Sequence, residues 1–488
     1  MSTIKITNLT FAYDGSHDNI YENASFQIDT DWKLGFIGRN GRGKTTLFRL
    51  MMNRYAYRGT ILSPVPFDLF PYEAADSSQL TADILYAHRP ECESWMLEHE
   101  LSLIGTDPEI LRRPFDTLSC GERTKAQLAA LFACENCFLL IDEPTNHLDT
   151  EARAAVARYL AGKRGYILIS HDRTLLDGCV DHILSLNRSD IEIRQGNFSD
   201  WYRDKLQKDQ NETERNAALK KEIARLTETA REKAAWSDKQ EAAKIGSHTF
   251  DRGHAGHLAA KMMKRAKAIE RRTEQHIEEK KTLLKNIEET ESLQIHPLRF
   301  HTERLAEFSD IRIFYGEKTV LRGVSFAIRR GDRIALAGKN GCGKSSLLKL
   351  LCGEEIPFSG KLTKPAGLKI SYVRQDTVGL SGSLTDYAKA CGIDGVLFFA
   401  ILRKLDFERV QFDKNIENYS EGQKKKVMLA RSLCEEAHLY IWDEPLNYID
   451  VFSRIQIEEL LERFHPTMLF VEHDAVFREK LATETIFL

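Results

Sequence analysis

Long apolar runs are absent from this chain of 488 residues, although 42% of its residues are hydrophobic. A membrane-spanning helix needs about 20 consecutive apolar residues, so we expect no such helix and no membrane partner. The first residues, MSTIKITNLTF, lack the apolar core of a secretory signal peptide. The nine cysteines are scattered without the regular spacing of a disulfide framework. These absences predict a cytoplasmic protein.

Net charge is also small, with a formal value of −3 and a pI near 6.6. The whole molecule is therefore not a basic nucleic-acid coat, and any nucleic-acid surface must be local. Proline is missing between about residues 205 and 290, where Ala, Glu, Lys and Arg dominate. A stretch without the strongest helix breaker and rich in helix formers predicts long helices.

Four short motifs occur twice in the same order, which is the sign of an internal repeat. The pairs are GRNGRGKTT and GKNGCGKSS, LSCGERTK and YSEGQKKK, DEPTNHLD and DEPLNYID, and ISHD and VEHD. From Ser119 to Glu143 is 24 positions, as it is from Ser420 to Glu444. The repeat predicts two copies of one domain, residues 1–200 (the first half) and 298–488 (the second half). Residues 201–297 lie between them and are called the arm.

The arm is predicted to be two long helices folded back on each other. Leu219, Ile223 and Leu226 follow helical spacing, and glycines interrupt the pattern in GSHTFDRGHAGH. We place the tip at about residues 246–257, where two helices of about 40 residues give an arm of about 60 Å. One helical connector that lies along the domains is the alternative.

Positive charge is concentrated near the predicted tip. Between Lys239 and Arg272 there are nine Lys/Arg and three Asp/Glu residues, a difference of +6. A charged helix is often only a solvated face, which we accept for the proximal arm. A concentrated basic end on a long arm favours contact with nucleic-acid phosphates.

Both copies of Gly-x4-Gly-Lys-Thr/Ser follow an apolar run, KLGFI or RIALA, and precede a helix-forming run. This context predicts a phosphate-binding loop between a strand and a helix. The glycines let backbone N–H groups point into a cradle, and the helix N-terminus favours negative charge. We expect Lys44 and Lys344 to reach phosphates, and the hydroxyls of Thr45 and Ser345 to face Mg²⁺. The loop residues assigned to nucleotide binding are Gly38, Asn40, Gly41, Gly43, Lys44, Thr45, Thr46, Gly338, Asn340, Gly341, Gly343, Lys344, Ser345 and Ser346.

Paired acids end two other apolar runs, CFLLIDE and LYIWDE. Asp142 and Asp443 are placed to hold Mg²⁺ through its water shell. Glu143 and Glu444 come next, and we expect them to orient or deprotonate an attacking water. Phosphoryl transfer depends mainly on such positioning and on charge neutralisation.

Two further motifs have fixed distances to these acids. His171 and His473 follow later strands, where an imidazole can hydrogen-bond a γ-phosphate oxygen, although a lone histidine is more often structural. LSCGE and YSEGQ each place a serine and a glycine before a helix-like run, where a hydroxyl and backbone N–H groups can bind a terminal phosphate.

Together these motifs resemble the ATP-binding cassette (ABC) superfamily over both halves. The resemblance implies an α/β fold, with two tandem P-loop ATPase domains joined by a long antiparallel helical hairpin. In that family two cassettes face head to tail, and each ATP with Mg²⁺ lies between one P-loop and the other cassette's signature. A monomer with paired cassettes then has a first site with Lys44, Thr45, Asp142, Glu143, His171, Ser420, Gly422 and Gln423, and a second site with Lys344, Ser345, Asp443, Glu444, His473, Ser119 and Gly121.

The resemblance also extends to aromatic and glutamine positions. Tyr13 and Tyr315 match the aromatic residues that stack on adenine in this family. Gln375 matches a glutamine that senses Mg²⁺ and the γ-phosphate, whereas the first half has Tyr72 at that position. This departure implies two unequal sites.

Two cassettes in one chain with a basic helical arm between them resemble the ABC-F translation factors. The sequence IWDEPLNYID further resembles the antibiotic-resistance branch, especially the Lsa-type proteins. The resemblance implies binding at the exit site of the bacterial 70S ribosome. The arm would reach rRNA near the peptidyl-transferase centre and the P-site tRNA, and would protect against lincosamides, pleuromutilins and streptogramin A. ATP hydrolysis would permit release.

Two other functions share part of this sequence pattern. A housekeeping ABC-F factor that tunes translation has the same chemistry without a role in drug resistance. A soluble ATPase subunit of a transporter or of a DNA-repair clamp is disfavoured, because the basic arm lies between two complete cassettes.

Overall fold

The computed structural model describes residues 2–13, 19–133, 137–146, 148–186, 191–244, 293–316, 318–407 and 409–488. The chain forms two compact units, of which the first combines Met1–Ser199 with Glu291–Leu488. The second unit is Asp200–Thr290. Both predicted repeats therefore belong to one unit, and the exact domain limits given above remain predictions.

The first half contains two sheets. Its strands are β1 (Thr3–Phe11), β2 (Tyr21–Asp29), β3 (Lys33–Gly38), β4 (Arg58–Leu62), β5 (Phe67–Phe70), β6 (Phe138–Asp142), β7 (Tyr166–Ile169), β8 (His182–Leu186) and β9 (Ile191–Gln195). The antiparallel sheet has the order β2-β1-β4, and the larger sheet has the order β5-β6-β7-β3-β8-β9. All neighbours in the larger sheet are parallel except β8 and β9.

Short helices connect these strands. They are α1 (Lys44–Met51), α2 (Thr81–His88), α3 (Ser94–Leu103), α4 (Cys120–Phe132), α5 (Thr150–Ala161) and α6 (Arg173–Cys179). Two 3-10 turns, Pro108–Arg112 and Phe115–Thr117, precede α4. Phe138, Leu139, Leu140 and Ile141 of β6 are all buried. Such a continuous apolar run is typical of a parallel strand covered on both faces.

The helix α7 (Phe198–Lys244), of 47 residues, begins at the end of the first half and continues into the arm. The predicted tip at 246–257 and the returning helix lie outside the described residues. Among the residues that are described, no helix is long and apolar enough to cross a membrane.

The second half repeats the layout of the first. Its strands are β10 (Arg304–Tyr315), β11 (Lys318–Arg329), β12 (Arg333–Ala337), β13 (Phe358–Thr363), β14 (Ile370–Val373), β15 (Leu439–Asp443), β16 (Met468–Val471) and β17 (Glu484–Phe487). Its helices are α8 (Lys344–Cys352), α9 (Leu384–Ala390), α10 (Gly395–Lys404), α11 (Glu421–Cys434), α12 (Val451–Phe464) and α13 (Ala475–Leu481), with 3-10 turns at Arg409–Asp413 and Ile416–Asn418. The antiparallel sheet has the order β11-β10-β13, and the parallel sheet has the order β14-β15-β16-β12-β17.

The strand order places the motifs at one edge of each parallel sheet. In the first half β3 lies between β7 and β8, and β6 lies beside β7. The P-loop, the acidic pair and the histidine all follow the carboxyl ends of these neighbouring strands, which is where open α/β sheets bind ligands. The predicted α/β class with two tandem domains is confirmed.

Candidate functional site

The first P-loop connects β3 to α1, and its backbone has the shape that glycine permits. Gly43 precedes α1 with φ +100°, in the left-handed region that L side chains rarely adopt. A Cβ atom at this position would lie 2.4 Å from Cγ2 of Ile20. The hydroxyl of Tyr21 donates to the Gly43 carbonyl at 2.8 Å. The loop is therefore fixed both by sterics and by a buried hydrogen bond.

Lys44 is a buried cation held by neutral acceptors. Its Nζ donates to the carbonyls of Gly38 at 2.7 Å and Arg39 at 3.2 Å, and to Oδ1 of Asn40 at 3.3 Å. Burial lowers the pKa of Lys44. No carboxylate within the described part of the chain forms an ion pair with it. A buried ammonium group in this setting is complemented by an anion such as phosphate.

Thr45 and Asp142 form the predicted metal-binding pair. The Thr45 hydroxyl donates to Oδ2 of Asp142 at 2.7 Å, at the end of β6. Burial raises the pKa of Asp142, and the bond from Thr45 opposes this rise. A hydroxyl and a carboxylate side by side are oxygen ligands of the kind that Mg²⁺ prefers, so these residues fit the ion.

Glu143, His171 and Asn40 meet behind the P-loop. Nε2 of His171 lies 3.4 Å from Oε1 of Glu143 and 3.1 Å from Oδ1 of Asn40. Burial and the neighbouring Asp142 raise the pKa of Glu143 to about 8. Burial and the positive charges of Lys44 and Arg454 lower the pKa of His171.

Residues of the second half complete the first site. A pocket of about 490 Å³ is lined by the first P-loop and, opposite, by Ser420, Gly422 and Gln423. Ser420 caps α11 in a capping box with Gln423, and its side chain accepts a bond from the Gln423 N–H. Of the residues assigned to the first site, the pocket lining includes Tyr13, Asn40, Gly41, Gly43, Lys44, Thr45, Thr46, Asp142, Glu143 and His171. Gly38 contributes its carbonyl to Lys44.

The second P-loop has the same internal contacts. Nζ of Lys344 donates to the carbonyls of Gly338 at 2.8 Å and Lys339 at 2.9 Å. Within the described ranges, no carboxylate pairs with Lys344. Gly343 precedes α8 with φ +97°. Burial raises the pKa of Asp443 to about 6, and the nearby Ser345 hydroxyl opposes this rise.

Glu444 has more hydrogen-bond donors around it than Glu143. Asn447 donates to its Oε2 at 2.7 Å, and Nε2 of His473 lies 3.3 Å from its Oε1. Burial by itself would raise the pKa of Glu444. Interactions with His473, Gln375 and Lys344 outweigh burial and lower the pKa to about 2. The two glutamates thus shift in opposite directions.

The difference follows partly from Tyr72, which replaces glutamine in the first half. The Tyr72 ring stacks on His88 at 3.7 Å with the planes 2° apart. His88 in turn contacts Asp68 through Nε2 at 3.1 Å. The Tyr72 side chain is thus engaged in this stack, and burial raises its pKa. Gln375, by contrast, is among the residues that lower the pKa of Glu444.

The LSCGE motif of the first half and the second P-loop are predicted to face each other across the second site. Ser119 caps α4 in a capping box with Glu122, and Gly121 lies in the first turn of that helix. An ion pair of 2.8 Å joins Lys339 of the second P-loop to Glu151 at the start of α5. The roles assigned to Ser119 and Gly121 stay predictions.

The two predicted adenine-stacking residues lie beside the P-loop helices. The Tyr13 hydroxyl lies 2.9 Å from Oγ1 of Thr46, and the Tyr315 hydroxyl lies 3.1 Å from Oγ of Ser346. Their side chains are 39% and 50% exposed, which leaves ring surface accessible to a ligand.

Sequence reasoning missed several residues of the first site. Asp406, Phe407, Lys426 and Tyr448 line its pocket together with Asn146. Tyr448 belongs to the altered phrase DEPLNYID, which is the sequence signal that could have identified it. Lys426 is buried and pairs with Asp450 at 3.1 Å, so its charge is balanced inside the second half.

The sequence profile described as ABC transporter matches residues 21–146 and 321–447, which is more than half of the chain. The ribosome protection protein VmlR of Bacillus subtilis (strain 168) is 28% identical over 493 residues, covering 99% of this chain and 86% of VmlR. The energy-dependent translational throttle protein EttA of Escherichia coli (strain K12) is 26% identical, covering 96% of this chain and 89% of EttA. The archaeal ribosome recycling factor aABCE1, solved with the ribosomal stalk protein aP1, has a TM-score of 0.65 at 17% identity, covering 98% and 87% of the two chains. At this identity the likeness shows the fold.

Proposed function

Because the chain belongs to the ABC transporter family, with both halves matched, we propose that it is an ATPase of the ABC-F type that acts on the bacterial ribosome. One observation carries the ATPase part. The pocket at the first P-loop is completed by Ser420 and Gly422 of the second half. A ligand in this pocket contacts both halves at once, so its binding stabilises their closed arrangement.

The residues of this pocket divide the chemistry of ATP hydrolysis among them. Lys44 and the loop N–H groups bind the phosphates, and Thr45 with Asp142 holds Mg²⁺, which neutralises phosphate charge when bound. Glu143 orients the attacking water and, in its ionised form, accepts a proton from it. His171 contacts both Glu143 and the P-loop, so it positions the glutamate against the phosphates. Glu444 and His473 have the corresponding roles in the second site.

The ribosome is the proposed partner, and we infer protection from antibiotics as the function. Support comes from the full-length similarity to the ribosome protection protein VmlR and from the concentration of basic residues near the predicted tip. The arm would extend from the tRNA exit site towards the peptidyl-transferase centre and the P-site tRNA. RNA would be contacted mainly through phosphates and shape. A ribosome-bound function also places the protein in the cytoplasm.

The drug classes proposed are lincosamides, pleuromutilins and streptogramin A. They follow from the Lsa-type resemblance of DEPLNYID, which remains a prediction. ATP binding would close the two halves and favour the bound state, and hydrolysis would allow release.

Retention on ribosomes tests the ATP cycle. A Glu143→Gln/Glu444→Gln variant keeps the size and polarity of both side chains but lacks the proton acceptors. We expect it to bind ATP, hydrolyse it at least about 100-fold more slowly than the wild type and accumulate on 70S ribosomes in sedimentation. Lys44→Ala/Lys344→Ala is the control, which should neither bind ATP nor accumulate. Failure of the glutamine variant to accumulate with ATP would refute the proposed cycle.

Drug tolerance tests the function itself. A susceptible bacterium would express the wild type, the double glutamine variant, or a variant with residues 246–257 replaced by a Gly-Ser turn. Protection against lincosamides and pleuromutilins by the wild type alone is the expected result. Equal tolerance with all three, or none with a well-expressed wild type, would contradict ribosome protection.

A housekeeping translation factor is the second candidate, favoured by the similarity to EttA. It requires the same ATP chemistry and the same partner. Deletion of the gene separates the two: altered growth or translation with unchanged drug sensitivity indicates the housekeeping role.

A further inference from the structure

A buried ion pair joins the two halves beside the first site. Arg173, the first residue of α6, donates from Nη1 to Oε2 of Glu458 at 3.1 Å, and from Nη2 to Oε1 of the same carboxylate. Glu458 lies on α12 of the second half. Nη2 of Arg173 also lies 3.7 Å from Oδ2 of Asp474. Two parallel bonds make this contact bidentate, the strongest geometry for arginine and carboxylate.

The two carboxylates of this cluster are shielded from water. The side chains of Glu458 and Asp474 are each 1% exposed, and that of Arg173 is 12% exposed. Two further cations belong to the second half: Arg454 lies 3.5 Å from Asp474, and Lys480 lies 3.9 Å from Glu458. Removal of Arg173 would leave a buried carboxylate with only a distant cation, a costly state in a protein interior.

Each partner of the pair lies on a helix that begins close to the first site. Arg173 comes two residues after His171, which contacts Asn40 and Glu143. Glu458 lies on the helix that begins after Asp450, the ion-pair partner of the pocket residue Lys426. The pair therefore joins the halves through two helices that each begin within three residues of a pocket residue, His171 or Tyr448.

The repeat shows that the pair is present on one side only. Counting from the matched histidines, the counterpart of Arg173 is Ala475, and counting from Asp149 and Asp450, the counterpart of Glu458 is Ala157. Two alanines cannot form an ion pair. Near the second site the halves are joined by Lys339 and Glu151, whose side chains are 77% and 76% exposed. Exposed pairs of this kind contribute little to stability.

We propose that the Arg173–Glu458 pair is a one-sided tie between the halves that holds the first ATP site closed. The inference rests on the proposed binding of ATP at both sites. Arg173 and Glu458 are positioning residues, since they act through α6 and α12 and do not contact the nucleotide pocket. The halves consequently separate more readily at the second site, and nucleotide stays longer at the first.

Nucleotide binding in the full-length protein tests the tie. The key variant is Arg173→Ala/Glu458→Ala, which removes both charges and reproduces the alanine pair of the opposite side. It is made in a Lys344→Ala background, where only the first site binds, and in a Lys44→Ala background, where only the second does. With the non-hydrolysable analogue AMPPNP and Mg²⁺, we expect Kd at the first site to rise about tenfold and dissociation to accelerate similarly. Kd at the second site should change less than about twofold.

Two controls make the result specific. Glu151→Ala breaks the exposed pair and should change Kd less than about twofold at either site. Thermal unfolding without nucleotide should give nearly the same midpoint for the double alanine variant and for its parent background. Neither protein contains a buried charge without a partner in this cluster. Arg173→Ala/Glu458→Ala can therefore be measured even if the single variant Arg173→Ala fails to fold.

Equal weakening at both sites, or no weakening at the first, would overturn the tie. In that case AMPPNP binding by the two parent backgrounds still supports the proposed ATPase. Loss of AMPPNP binding in a folded protein with both P-loops intact would instead refute the proposed function, and the tie with it.

Discussion

The side-chain amide of Asn40, in the first P-loop, donates a 2.7 Å hydrogen bond to the main-chain carbonyl of Tyr448 in the second half. The residues are 408 positions apart in the chain. Oδ1 of the same amide accepts from Lys44 and lies within hydrogen-bond distance of His171. One side chain therefore connects Lys44, His171 and the opposite half of the molecule.

Replacement of this amide should weaken closure at the first site. Asn40→Ala removes the bond to Tyr448 and two polar contacts of the P-loop. We expect the affinity of the first site for AMPPNP to fall about fivefold to tenfold, the effect of one or two hydrogen bonds. The measurement is titration in a Lys344→Ala background. Asn340→Ala is the matched control, and it should leave this site unchanged; an unaltered affinity in Asn40→Ala would contradict the connecting role.

Gly422 of the YSEGQ motif and Gly121 of the LSCGE motif should differ in their tolerance of substitution by alanine. A Cβ atom on Gly422 would lie 2.8 Å from the Tyr448 carbonyl, whereas one on Gly121 would lie 3.5 Å from Cδ2 of Leu148. Gly422→Ala should displace the carbonyl that Asn40 binds and lower AMPPNP affinity at the first site at least about fivefold. Gly121→Ala should change the second site less than about twofold. Similar losses of AMPPNP affinity at both sites would indicate that the added methyl group collides with the nucleotide and not with the Tyr448 carbonyl.

Tyr72 should be replaceable by phenylalanine but not by glutamine. Its ring stacks on His88, and its buried hydroxyl has no hydrogen-bond partner among the described residues. Tyr72→Phe removes that unsatisfied group and should be neutral or slightly stabilising. Tyr72→Gln loses the stack and much apolar contact, with an expected loss of about 2 kcal/mol. Urea unfolding checks both variants, and a destabilised Tyr72→Phe would show that the hydroxyl is satisfied.

The buried pair Lys426–Asp450 should contribute far more to stability than Lys125, the lysine at the matched position of the first half. Lys426→Met leaves Asp450, which is fully buried, without its cation. We expect the second half to lose about 3 kcal/mol of unfolding free energy. Lys125→Met is the matched control, because Lys125 is only half-buried and makes a 3.5 Å bond to the Gly105 carbonyl. Its expected cost is below about 1 kcal/mol. Equal losses of unfolding free energy for Lys426→Met and Lys125→Met, measured with urea, would contradict this prediction.

The repeat was readable from sequence because its motifs depend on local backbone chemistry. Gly43 and Gly343 both precede their helices in a left-handed conformation, and each follows an apolar strand. Thr45 and Asp142 were both expected at a Mg²⁺ site, and they meet because the carboxyl ends of β3 and β6, with β7 between them, lie at one edge of the sheet. The resemblance to ABC proteins predicted that Ser420 and Gly422 face the first P-loop, and they line its pocket.

Other features could not be predicted because they depend on distances between residues far apart in the chain. No local pattern indicates that Arg173 reaches Glu458 across the halves. Nor does the sequence show that Glu143 and Glu444 have opposite pKa shifts, since both follow an aspartate in the same phrase. Burial affects both carboxyl groups, and the difference arises from the donors that surround each one.

The sequence by itself determined the two-domain organisation, the P-loops and the residues that we propose meet phosphate and Mg²⁺. These properties follow from short-range rules: glycine conformations, helix termini and strand periodicity. Tertiary structure alone decided the contact of Asn40 with Tyr448, the isolation of Tyr72 in its stack and the one-sided tie at Arg173. Side-chain geometry across an interface depends on how two folded surfaces fit, and small differences between two similar copies become unequal sites only when those surfaces are in contact.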